Sequence, residues 1–147
     1  MRCLIQRSLN SSVAVNNKII GSINEGLVIL VGFTENDNNK DIDYMVNKIL
    51  NIRIFDDEDG IMNRSLLDTN GELLVISQFT LYADASKGRR PSYVKALSSA
   101  KAIPLYELFI SKLKENNIKV ETGEFGAEMK VNIINDGPVT IWIESRE

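Results

Sequence analysis

Leu27-Val28-Ile29-Leu30-Val31-Gly32-Phe33 form an unbroken apolar run of strand length, the pattern of a central strand buried on both faces. Ahead of it, residues 2–7 and 12–15 are short β-prone runs. Asn16-Asn17 marks a tight turn, and the alternation resumes over 18–23 until Glu25-Gly26 breaks it. Beyond the polar loop at 35–39 the period changes. Ile42, Met45, Val46, Ile49 and Leu50 recur at helical spacing, with Asp41 and Asp43 near the positive end of the helix dipole. A short strand over 52–55, the turn Asp56-Asp57-Glu58-Asp59-Gly60, a second turn at Asn70-Gly71 and a strand over 72–79 follow.

Residues 93–100 have the composition of a short helix. Pro104 then introduces a longer one, with Leu105, Leu108, Phe109 and Leu113 on one face and Asn116-Asn117 at its end. Strands over 119–122, 129–135 and 139–144 close the chain. The order is roughly β2-α-β2-α-β3. It predicts a mixed α+β (α/β) domain in which a mixed, largely antiparallel sheet curls toward a barrel with helices packed on it. Neither a repeat nor a linker interrupts residues 1–147, so one domain is expected.

Composition narrows the chemistry. Hydrophobic residues make up 44% and charged residues 25% of the chain, ordinary globular values that argue against a disordered or membrane protein. The apolar runs are too short for a signal peptide or a bilayer span, which leads to the expectation of a cytoplasmic protein. Cys3 is the single cysteine and sits in an apolar run, so a buried, inert thiol is expected. Histidine is absent. That removes the Ser-His-Asp triad, the Cys-His pair and the usual zinc ligand set, and no cofactor or metal is expected. The acidic cluster at 56–59 lacks the loop length and terminal glutamate of a calcium hand and reads as a solvated turn.

Three polar segments resist a purely structural account. In Ser77-Gln78-Phe79-Thr80-Leu81-Tyr82-Ala83-Asp84 an apolar strand takes on hydroxyls and an amide. As a strand, it would place Gln78, Thr80 and Tyr82 on one face, where an ester could meet hydroxyls and main-chain N–H donors together. A half-buried edge strand would produce the same pattern. Asn135-Asp136-Gly137-Pro138-Val139-Thr140 reads either as a plain hairpin turn or as a rigid acceptor pair. A Gly-Pro bond adopts cis at modest cost, and its neighbouring carbonyl oxygens would then point the same way, toward an ammonium group. Lys87-Gly88-Arg89-Arg90-Pro91-Ser92, with Lys95 beyond, is a local basic patch in a chain of net charge −3. It is either solvated surface or a phosphate-contacting loop.

Together with Gln6-Arg7, Asn51-Ile52-Arg53-Ile54-Phe55, Glu121-Thr122-Gly123 and Phe125-Gly126-Ala127, these segments occur in an order and spacing that resembles the D-aminoacyl-tRNA deacylase family over nearly the whole chain. The resemblance implies an active site at Ser77, Gln78, Phe79 and Thr80 together with Gly137 and Pro138. It further implies a cis Gly137-Pro138 bond in a loop that enters the pocket of a partner subunit, making the protein a homodimer. Arg7 resembles the arginine that fixes this loop. Phe125 and Met129 resemble pocket residues near the terminal adenosine, and Lys87, Arg89 and Arg90 would contact tRNA. The implied reaction is hydrolysis of D-aminoacyl-tRNA, and of glycyl-tRNA mischarged on tRNA(Ala), with L-aminoacyl esters rejected. A module that binds the acceptor end without turnover is the competing expectation. Thr80 lacks an evident base, so Phe79 and Thr80 are expected to act through main-chain donors while the ribose 2′-hydroxyl helps to activate water.

Overall fold

The computed structural model describes residues 1–146. Strand β1 (Arg2–Val15) runs the length of the molecule as one element; the sequence had divided it in two. Its register slips at residues 6–8 and 9–12, so the polar stretch around Asn10 bends the strand without ending it. Asn16 and Asn17, at φ of 50° and 62°, make the left-handed turn that suits a two-residue hairpin into β2 (Lys18–Ser22). β3 (Gly26–Gly32) lies between β1, antiparallel, and β6 (Glu72–Ser77), parallel. This central position explains its unbroken apolar character.

The chain crosses from β3 to β6 through α1 (Asn39–Asn51), the small hairpin β4 (Phe55–Asp56) and β5 (Met62–Arg64), and the single turn α2 (Leu66–Thr69). α1 is capped reciprocally: Asn38 accepts from the Lys40 amide at 2.9 Å, and Asp41 accepts from the Asn38 amide at 2.9 Å. α3 (Ser99–Lys114), β7 (Val120–Thr122), parallel to β6, and β8 (Lys130–Glu144), antiparallel to β1, complete the chain. The sheet order β2-β1-β3-β6-β7, with β8 on β1, curls into a nearly closed barrel. Gly21 permits this closure, because a Cβ there would lie 2.9 Å from the Thr122 carbonyl oxygen across the gap between β2 and β7.

Alternation along β3 and β6 sends side chains to two cores. Leu27, Ile29, Leu73 and Val75 join Ile42, Met45, Ile49, Phe109 and Leu113 under α1 and α3. Val28, Leu74 and Ile76 meet Val13 and Ile23 inside the barrel. Each fully buried aliphatic side chain contributes about 1.5–3 kcal/mol of transfer free energy. Between them, the two cores fix the level at which β3 and β6 end.

Four further sequence expectations change here. The strand after Glu72 stops at Ser77, and Phe79–Tyr82 form a 3-10 turn, because Gly32 leaves the space into which the chain folds. A Cβ at Gly32 would meet the Gln78 carbonyl oxygen at 2.8 Å and the Tyr82 ring at 3.3 Å. The face shared by Gln78, Thr80 and Tyr82 in an extended strand therefore does not exist. Of the helix expected over 93–100, residues 93–98 are a turn-rich loop, tied instead to the end of β3 by the Leu97 amide and the Phe33 carbonyl at 3.0 Å, and only the last two are helical, as the start of α3. α3 begins at Ser99, before Pro104, which lies inside the helix. The strands expected over 129–135 and 139–144 are the single strand β8, with the Asp136-Gly137-Pro138 segment as an interruption in its pairing to β1.

Candidate active site

The carboxyl ends of β3 and β6 open on a cavity of about 570 Å³. Ser77 and Gln78 enter it from the end of β6, and Phe79 from the turn beyond. Phe125 and Met129 approach from the loop after β7, and Tyr93 from the loop before α3. Loop ends of adjacent parallel strands commonly hold ligands in open sheets. Five of the residues singled out in the sequence thus meet at one place.

Thr80 sits on the same turn, its hydroxyl oxygen accepting from Gln78 Nε2. The turn begins as an extension of the parallel ladder, with the Gln78 amide donating to Val31 O at 2.7 Å. It closes with the Leu81 amide on Gln78 O and the Ala83 amide on Thr80 O at 3.0 Å. The opening N–H groups of a helical turn have no partner within it; of the turn's residues Phe79 lines the cavity, whereas Thr80 is not among its lining residues. Phe79 is 57% exposed, and its ring packs edge-on against Tyr93 with centroids 5.3 Å apart. Below the cavity Tyr106 packs on Phe125 and donates to Val75 O at 3.0 Å. Burial pushes its hydroxyl up to about 12, so Tyr106 stays a neutral donor and supplies no base near neutral pH. The Cys3 thiol, fully buried, is likewise pushed up by burial.

Tyr93, Ser98 and Ser99 at the cavity wall were not identified from the sequence. They reach it because the 93–98 loop is held to β3, a tertiary contact with no local signal. The base of the basic loop lies beside the same wall, closed by a two-way bridge between Asp84 and Ser92 at 2.8 and 2.9 Å. Lys87, Arg89 and Arg90 are exposed on it. Hydrogen bonds with Ser86, then the Lys95 charge, hold the Asp84 carboxyl below its ordinary value.

Arg7, Gly137 and Pro138 lie elsewhere. Ser77 is level with Val31 and Cys3 across the sheet, whereas the Gly-Pro segment interrupts β8 between the partners of Gln6 and Ser8. At about 3.3 Å per residue, the two sites are roughly 13 Å apart along β1. The Gly137-Pro138 bond is cis. Arg7 is buried behind this segment, donating to Ile54 O at 2.9 Å and Asp56 at 3.2 Å, with Nε 3.2 Å from Asp136. Among the described residues no group of three or more Cys, Asp or Glu side chains is placed to hold a metal ion, and no helix is long and apolar enough to cross a membrane.

A mixed barrel with a polar turn over a cavity defines a class of compact α+β domains, and comparison with known proteins supplies the family. The family model described as D-Tyr-tRNA(Tyr) deacylase matches residues 4–144. The D-aminoacyl-tRNA deacylase of Thermosipho melanesiensis is 57% identical, over 100% of this chain and 99% of its own. That of Clostridium kluyveri is 55% identical over the same shares. A solved structure of a c-Myc DNA Unwinding Element Binding Protein superposes with a TM-score of 0.94 at 38% identity, covering both chains completely. One described as a probable eukaryotic D-amino acid tRNA deacylase superposes at 0.83 with 18% identity, over 97% of this chain and 98% of that one, and shares the fold. The chain belongs to the D-Tyr-tRNA(Tyr) deacylase family.

Proposed function

We infer that this chain hydrolyses the ester joining a D-amino acid to the 3′ end of tRNA and leaves L-aminoacyl esters intact. The observation that carries the reading is the 3-10 turn at Phe79–Tyr82, which leaves the wall of a cavity at the strand ends lined by Ser77, Gln78 and Phe79. Main-chain donors set in a rigid turn suit the oxyanion that develops as water attacks an ester carbonyl. They need no titrating side chain, in keeping with a chain that contains no histidine. The family and its deacylase relatives point the same way.

In this reading Phe79 and Thr80 donate through their amides, Ser77 and Gln78 shape the turn, and Phe125 and Met129 line the space for the terminal adenosine. Lys87, Arg89 and Arg90 meet the acceptor-stem phosphates. The Gly137-Pro138 segment lies too far from the cavity of its own chain, so it serves the cavity of a second copy, held in place by Arg7 and Asp136. The protein works as a homodimer in the cytoplasm. The carbonyls of Gly137 and Pro138 hold the substrate ammonium, so an L side chain meets main chain while a D side chain leaves toward solvent. Glycine, with nothing to exclude, is cleaved too, because a filter by steric rejection passes the smaller residue.

Matched D- and L-tyrosyl-tRNA incubated with purified protein test this directly. The D ester is expected to be cleared faster by roughly a hundredfold or more. Equal rates would remove the chiral filter, and binding without turnover would favour a silent acceptor-end module.

A further inference from the structure

We propose that Arg2 is a positioning residue for the reaction, holding the far end of the turn that presents the Phe79 and Thr80 amides. Arg2 pairs with Gly32 across β1 and β3, and Gly32 is the position over which the turn folds. From there its guanidinium reaches the turn and donates from Nη1 to the Leu81 carbonyl at 2.9 Å. The turn is thus fixed at both ends, by the Gln78 amide on Val31 O at 2.7 Å and by Arg2 on Leu81 O, with the two free amides between.

The guanidinium is itself held on several sides. Its carbon lies 4.3 Å from the centroid of the Tyr82 ring and 5.4 Å from that of Trp142. Its Nε is 3.1 Å from Glu144, which also accepts from the Trp142 indole N–H at 3.0 Å. A planar fork that stacks on rings while donating in its own plane is a property of arginine, not of lysine. Tyr82 belongs to the turn, whereas Trp142 and Glu144 belong to β8, so Arg2 ties the turn to the strand that also carries Gly137 and Pro138. Oxyanion donors act only within a narrow range of positions, and a displacement near 1 Å costs of the order of a hundredfold in rate. A residue that sets their position without touching substrate therefore acts on kcat.

The inference rests on the reading of Phe79 and Thr80 as oxyanion donors, and steady-state kinetics with D-tyrosyl-tRNA separate the two. Arg2→Met keeps an aliphatic stem over the rings and loses the donor. It is expected to lower kcat about tenfold with KM unchanged, as is Arg2→Ala, while Arg2→Lys recovers part of the loss. Wild-type kcat in folded Arg2→Met would overturn the positioning role and leave the deacylase reading standing. So would a loss confined to KM that steepens or flattens with salt, the mark of a direct phosphate contact. An inactive wild-type protein would overturn both.

Discussion

Thr80 has the side chain most easily mistaken for a nucleophile. Its hydroxyl oxygen accepts from Gln78 Nε2, an amide that can donate a proton but cannot remove one. A threonine hydroxyl attacks only when a neighbouring base takes its proton. In the proposed mechanism the contribution of Thr80 is its main-chain amide, which alanine supplies equally well. Thr80→Ala is expected to retain D-tyrosyl-tRNA deacylation within about tenfold of wild type, since only a positioning hydrogen bond is lost; a variant inactive in single-turnover assays, with tRNA binding intact, would restore the covalent mechanism. At this scale the sequence was readable where the chemistry is local. Ser77 and Gln78 stand consecutively at the end of an apolar strand and announce polarity where apolar residues should continue. Tyr93 and Arg2 were not readable. Each gains its place from a contact across the fold, the one through Phe79 and the other through Leu81 and Trp142.

Among the elements, α1 was legible because its apolar period and its first-turn aspartate, Asp41, agree. What the sequence did not disclose is that Asp41 serves two masters. Its carboxylate caps the helix at Asn38 and also accepts from Ser145 Oγ and Arg146 Nε at 2.8 Å each, joining the start of α1 to the residues after β8. Burial alone would raise its pKa; the hydrogen bonds from Ser145, Arg146 and Asn38 outweigh it and hold the carboxyl below its ordinary value. The folded pKa thus lies under the unfolded value of about 3.9. The stabilisation is complete above that value and is lost as pH falls through the lowered one. Urea midpoints should therefore decline below about pH 4, with a shallower decline in Asp41→Asn; parallel curves would show that the carboxylate contributes nothing to acid stability. Two other elements depart from what local patterning shows. Pro104, expected at or near the first turn of its helix, lies inside α3, which runs through it from Ser99. The reciprocal cap of Ser65 with Asp68 starts α2 in a stretch too short for helical periodicity to mark.

For the whole molecule, the mixed class and the central place of β3 followed from patterning, whereas barrel closure depends on Gly21 meeting Thr122, a pairing of distant segments that no local period encodes. The same geometry makes the Gly137-Pro138 segment and the Gln78–Tyr82 turn neighbours in sequence motif only. Standing roughly 13 Å apart along β1 by strand rise, they can build one site only if two chains exchange loops under two-fold symmetry. Complementation between two defective chains tests this. Ala127→Trp fills the cavity it lines and leaves the loop intact. Gly137→Val disturbs the loop, since Gly137 has φ of 118° and a Cβ there would crowd the Val139 amide at 3.0 Å, yet it leaves the cavity open. Each homodimer is expected to be inactive. Unfolded together and refolded as a mixture, half of the dimers combine one chain of each kind, and in these one of the two sites joins a sound cavity to a sound loop. About a quarter of wild-type activity should return, at the size of two 16.5 kDa chains. A site completed within a single chain would stay silent in every combination, so an inactive mixture of properly folded dimers would overturn the exchange of loops between two chains.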